Sequence, residues 1–164
     1  RAFVMANAVD AEGMAVAIVS LETGEVLRRF PENTAIWSGQ DPVSPDGRHV
    51  ALIVHEASGP VNVVFPTEGG EPFRVPGLGP AEIVSGWSGD GALYVYNREG
   101  LPCVVERVEV AGGERSVCCR LMPEDAAGVR GVRAVRMARG GQGYAYDFSR
   151  TLSELYVLTW GEEA

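Results

Sequence analysis

Ser44-Pro45-Asp46-Gly47-Arg48-His49-Val50-Ala51-Leu52-Ile53-Val54 is the stretch whose reading decides the fold. Its first four residues carry turn chemistry. Proline presets φ, the aspartate side chain bonds nearby amides, and glycine supplies a positive φ. The turn opens into an apolar run with the composition of a strand. Forty-four residues later Ser88-Gly89-Asp90-Gly91 opens Ala92-Leu93-Tyr94-Val95-Tyr96, and fifty after that Ala138-Arg139-Gly140-Gly141-Gln142-Gly143 opens Tyr144-Ala145-Tyr146.

A second series runs in the same register. Glu22-Thr23-Gly24-Glu25, Glu68-Gly69-Gly70-Glu71 and Ala111-Gly112-Gly113-Glu114 each sit between apolar segments, as hairpin turns do. Glu25, Glu71 and Glu114 are 46 and 43 residues apart. Two interleaved series at one period of about 45 residues mark a repeat architecture.

Within each repeat the order is constant. Ile83 to Trp87 leads into the Gly/Asp turn, Ala92 to Tyr96 comes next, then a polar loop, Cys103 to Val110, the Gly-Gly hairpin, and Arg115 to Leu121. Four antiparallel strands in 40 to 50 residues is the size of a propeller blade. A β-sandwich is the competing architecture, but sandwiches rarely repeat their turn chemistry. The fold class is therefore all-β, a partial β-propeller of about 3.5 four-stranded antiparallel blades. In this register residues 1–38 form a blade lacking its first strand, 39–82 a second blade, 83–131 a third, and 132–160 a blade lacking its fourth strand. The last of these is expected to hold strands at Val132 to Met137, Tyr144 to Phe148 and Glu154 to Trp160.

Composition bounds the function. Net charge is −8, and all 14 basic residues are arginine. A surface of that sign repels phosphate backbones, so no nucleic-acid partner is expected. No apolar run approaches the roughly 18 residues of a membrane span, so no direct membrane insertion is expected. Cys103, Cys118 and Cys119 are too few for a disulfide framework and read as buried small hydrophobes. The chain opens at Arg1 inside an apolar run, as expected of the C-terminal part of a larger protein.

The Ser-Pro-Asp-Gly-Arg element with its alternating strand, then a strand ending in Glu-Gly-Gly-Glu, resembles the TolB-like propeller repeats, relatives of the WD-repeat family. The resemblance spans essentially the whole chain, although the turn degrades to Ser88-Gly89-Asp90-Gly91 and is nearly lost at Arg139-Gly140-Gly141-Gln142. The segment Tyr144 to Val157 is similar to the closing part of propellers fused behind bacterial eukaryotic-like serine/threonine kinases. The resemblance implies a bacterial protein, with a periplasmic setting favoured over a cytoplasmic one.

Candidate chemistry is sparse. Gly86-Trp87-Ser88-Gly89-Asp90 approaches the nucleophile elbow of serine hydrolases, but Asp90 replaces the closing glycine and a strand, not a helix, comes after it. His49 and His55 are six residues apart on one strand, about 20 Å, too far to share a metal ion. Arg130, Arg133, Arg136 and Arg139 recur every third residue; strand alternation would place Arg133 and Arg139 opposite Arg130 and Arg136, leaving no single basic face. The expectation is no catalytic residue, no metal and no cofactor. Loop or channel-mouth positions remain as binding candidates: Trp37, Asp46, His55, Trp87, Asp90 and Arg139.

These features point to a non-catalytic propeller serving interaction, scaffolding or ligand sensing. A substrate-gating propeller of a prolyl-oligopeptidase-like serine peptidase is the alternative. The expected partner is another protein, or the remaining half of the propeller supplied by upstream chain, a second copy or another subunit.

Overall fold

The computed structural model describes residues 3–10, 13–36 and 41–158 of the chain. Among these residues there are twelve strands and no helix. They form four antiparallel sheets that succeed one another along the chain.

The first sheet holds β1 (Phe3–Asp10), β2 (Gly13–Ser20) and β3 (Val26–Arg29), in that order. The second holds β4 (Thr34–Ala35), β5 (His49–Glu56) and β6 (Gly59–Pro66). Bridges from Val43 to Val50 and from Phe73 to Val64 extend it at both edges, so four strand positions are marked. The third is a complete meander of β7 (Glu82–Trp87), β8 (Leu93–Asn97), β9 (Cys103–Val108) and β10 (Arg115–Leu121). Its strands fall within a few residues of those expected from the repeat. The fourth sheet pairs β11 (Val129–Met137) with β12 (Tyr144–Arg150).

Alternation along the central strands gives every inner sheet two apolar faces. In β8, Leu93 and Val95 pack with Ala51, Val64 and Val84 toward the second sheet. Tyr94 and Tyr96 pack with Val105, Val132 and Val135 toward the fourth. In β5, Val50 and Leu52 meet Val16, Ile18, Phe30 and Phe65 toward the first sheet. The sheets thus stack face to face in chain order, and the cores lie between them.

Both turn series have the backbone that their glycines require. Gly47, Gly91 and Gly141 in the first series have φ of +70°, +91° and +71°, and Gly24 and Gly113 in the hairpins have +73° and +77°. The backbone pattern persists where the side chains degrade. Gly47 N–H donates to Ser44 O at 2.9 Å and Gly141 N–H to Ala138 O at 2.8 Å.

Three expectations need correction. No strand forms over Glu154 to Leu158, and Trp160 lies outside the described residues. Leu155, Tyr156, Val157 and Leu158 are 77–91% exposed: among the described residues no sheet covers them, and apolar burial supplies nothing to hold a strand there. Cys118 is exposed rather than buried, whereas Cys103 is fully covered and Cys119 partly so. Cys118 falls at a bulge between Val117 and Cys119 on the outermost strand of its sheet. Burial pushes the Cys103 thiol up to about 11.

The third correction concerns the arginines of β11. The register is interrupted between Val129 and Gly131 and again between Val132 and Ala134. Each bulge sets two residues opposite one on the partner strand. Arg130 therefore shares the place of Gly131 opposite Ser149, and Arg133 that of Ala134 opposite Asp147, while Arg136 pairs Ala145. Ser149, Asp147 and Ala145 alternate along β12 and lie on one face. Arg130, Arg133 and Arg136 thus share the outward face, and all three are exposed. Simple alternation fails because the two bulges convert a period of two into a period of three.

Gly113 separates turn strain from crowding. A Cβ there would lie 2.3 Å from the Pro76 carbonyl oxygen, whereas one at Gly24 would meet nothing within 4 Å. Both positions carry the left-handed cost of about 1–2 kcal/mol for a non-glycine residue. Urea unfolding is expected to show Gly113→Ala less stable than Gly24→Ala by at least about 1 kcal/mol; equal losses would contradict this packing.

Candidate binding cleft at the turn-bearing end

In the second, third and fourth sheets the turn after the first strand leads into the second, so all three turns lie at the same end of the stack. In the second sheet, Ser44 Oγ donates to Asp46 Oδ1 at 2.6 Å and accepts the His49 N–H at 2.9 Å. The same Asp46 oxygen accepts the Arg48 N–H at 3.0 Å. In the third, Ser88 Oγ donates to Asp90 and accepts the Ala92 N–H at 2.9 Å. Ser88 is 2% exposed, and its hydroxyl closes the turn. It is the counterpart of Ser44, as the repeat requires.

These bonds hold both carboxylates as anions. The Ser44 hydroxyl, then the Arg48 amide, keeps Asp46 below the usual aspartate value of 3.8. The Ser88 hydroxyl and the Arg107 guanidinium do the same for Asp90. Arg107 Nη2 lies 2.6 Å from Asp90 Oδ2.

A cleft of about 440 Å³ opens between the second and third sheets, with Asp46 and Asp90 on it. His49 lies inside, between two aromatic rings. Its ring centroid is 6.4 Å from that of Trp87, with 30° between planes, and 6.1 Å from that of Phe73, edge to face. Trp87 is 3% exposed, and its indole N–H donates to the Pro42 carbonyl at 2.8 Å. It forms the cleft's buried wall and ties one sheet to the next.

Arg139 sits beside this cleft. Its guanidinium binds Asp41 at 2.8 Å and 3.2 Å, and its carbonyl accepts the Gly89 N–H at 2.7 Å. A Cβ on Gly86 would come within 3.5 Å of Asp41 Cβ. The second, third and fourth sheets are therefore latched to one another at their first strands.

Of the six sequence candidates, the structure brings Asp46, Trp87 and Asp90 to one cleft and sets Arg139 at its edge. His55 lies at the opposite end of β5, exposed, its carbonyl accepting an Asn33 side-chain N–H at 3.1 Å. Trp37 lies outside the described residues. Sequence reasoning missed His49, Phe73 and Asp41 as site residues. Their signal was positional: His49 closes the Ser44 turn, and Phe73 comes just after the Gly-Gly hairpin that returns beside it. Among the described residues no group of three His, Cys, Asp or Glu is placed to hold a metal ion.

No protein-family model and no curated protein sequence matches this chain. Among solved structures, that of TolB from Acinetobacter baumannii superposes with a TM-score of 0.55 at 16% identity. The chain has a TolB-like fold. It is a partial β-propeller, and its sheets are blades. The superposition covers 90% of this chain but 40% of the TolB chain, so this chain spans less than half the length of the structure it matches.

The Asp46 turn can be tested by pH. A carboxyl whose folded pKa is depressed contributes stability above its unfolded pKa and loses it as pH falls through the folded value. The Asp46 contribution is thus intact above 3.8 and fades below it. Ser44→Ala removes the main hydrogen bond, and NMR titration is expected to show the Asp46 pKa rising toward 3.8. An unchanged value would show that the hydroxyl does not hold the carboxylate.

Proposed function

We propose that this chain is a non-catalytic interaction or ligand-sensing module that binds at the turn-bearing end of its blades. One observation carries the reading: a cleft of about 440 Å³ in which a partly buried imidazole contacts two aromatic rings, with two anionic carboxylates on its margin. Flat aromatic walls and fixed charges on rigid blades form a recognition surface. The ligand such a cleft suits is small or peptidic, with a flat or apolar part for His49 and Phe73 and a cationic or hydrogen-donating part for Asp46 and Asp90.

The serine chemistry supports this assignment over turnover at the cleft. Ser88 spends its hydroxyl on Asp90 and the Ala92 amide, and Ser44 on Asp46 and the His49 amide. Periplasmic placement and membership of a larger bacterial protein fit the TolB-like fold and belong to the same proposal.

NMR fragment screening of the chain tests it. Cationic aromatic fragments are expected to shift His49, Phe73 and Asp90 resonances together, and Phe73→Ala to weaken them about fivefold to tenfold, the usual worth of one aromatic contact. Shifts clustered around His55 at the other end, or hydrolysis of ester or peptide substrates by the purified chain, would overturn the proposal.

A further inference from the structure

The outward face of the last blade carries a row of arginines that the cleft does not use. Arg130, Arg133 and Arg136 stand opposite Ser149, Asp147 and Ala145, successive positions of one β12 face, so their anchors repeat at about 7 Å, two residues of a strand. The other residues on this face are Gly131, Ala134, Ala145 and Ser149, all small, and Asp147, whose carboxylate accepts the Ala134 N–H at 2.6 Å. Among the described residues no carboxylate pairs with these three guanidiniums. The fourth arginine of the run, Arg139, is engaged by Asp41.

We propose that this face docks an extended acidic strand of a partner protein, whose carboxylates at alternate positions pair with Arg130, Arg133 and Arg136. Spacing selects the partner's conformation. A strand laid along β11 repeats its side chains on one side at the same interval of about 7 Å, so each guanidinium meets one carboxylate in bidentate geometry. The small residues between the arginines leave room for such a strand to lie close.

Charge decides among the other occupants. The chain as a whole carries −8, which opposes a long polyanion such as nucleic acid but acts weakly on a short acidic strand beyond a Debye length of about 10 Å. A second copy docking end to end would bring up β1–β2–β3, whose only acidic residue is Asp10.

Fluorescence anisotropy on the whole chain tests this with a labelled decapeptide of alternating Glu and Thr. The comparison peptide has the same composition in two blocks, five Glu then five Thr. The alternating peptide is expected to bind severalfold tighter, and R130Q/R133Q/R136Q to weaken it about tenfold, while R120Q on β10 leaves it unchanged. The reversed variant R130E/R133E/R136E is expected to take a Lys–Thr alternating peptide instead. Equal binding of the two peptides, full binding by the triple glutamine variant, or tighter binding of a ten-nucleotide oligothymidine would overturn the proposal.

Discussion

A sheet that is apolar on both faces must be covered on both, and the rest of this structure depends on that requirement. In β8 every side chain from Leu93 to Tyr96 is buried, alternate ones facing opposite neighbours. A strand with one wet face would have left Tyr94 and Tyr96, or Leu93 and Val95, in water. At about 25 cal/mol per Å² of apolar surface, covering the second face of a blade is a large contribution. It forces sheets to stack in series, and the series becomes a propeller because each sheet twists relative to the one before.

The same requirement explains the weak places. The first sheet has the second against one face, and the last has the third; neither has a sheet on its other face among the described residues. At the last blade the consequence is visible in composition. Val132 and Val135 turn inward and are buried, while the outward face is given over to arginine, small residues and Asp147. The segment from Leu155 to Leu158 has strand-forming residues but no sheet to cover them, and it forms no strand.

The architecture was legible because turn chemistry repeats where strand sequence does not. Ser44, Asp46 and Gly47 and their counterparts Ser88, Asp90 and Gly91 have roles that few other residues can fill, so they persisted in register. The third turn keeps only its glycine, and there the register rested on Gly141 with the strand after it. What could not be read is what depends on pairing. Bulges are properties of two strands, and nothing in Val129 to Met137 alone shows that Arg130 and Arg133 are the extra residues. The cleft was half legible. Asp46 and Asp90 stood out as turn residues, but their convergence with His49 and Phe73 needs the stacking of two blades, 24 residues separating the histidine from the phenylalanine.

The turn end matters to function because three successive blades are tied to one another there. Trp87 reaches back to Pro42, Arg139 to Asp41, and the Gly89 amide to Arg139. Residues on such a frame keep their relative positions, which is what a preorganised recognition site needs. At the far end the Asn62 side-chain N–H donates to the Glu82 carbonyl at 2.8 Å, and His55 is exposed.

Native-state hydrogen exchange tests the central claim most directly, since protection tracks double coverage. Amides of β5 and β8 are expected to exchange slowest, those of β12 faster, and those of 152–158 within seconds. Equal protection of β8 and β12, as a two-layer sandwich would give with each sheet covered on one face, would contradict the stacked-blade account.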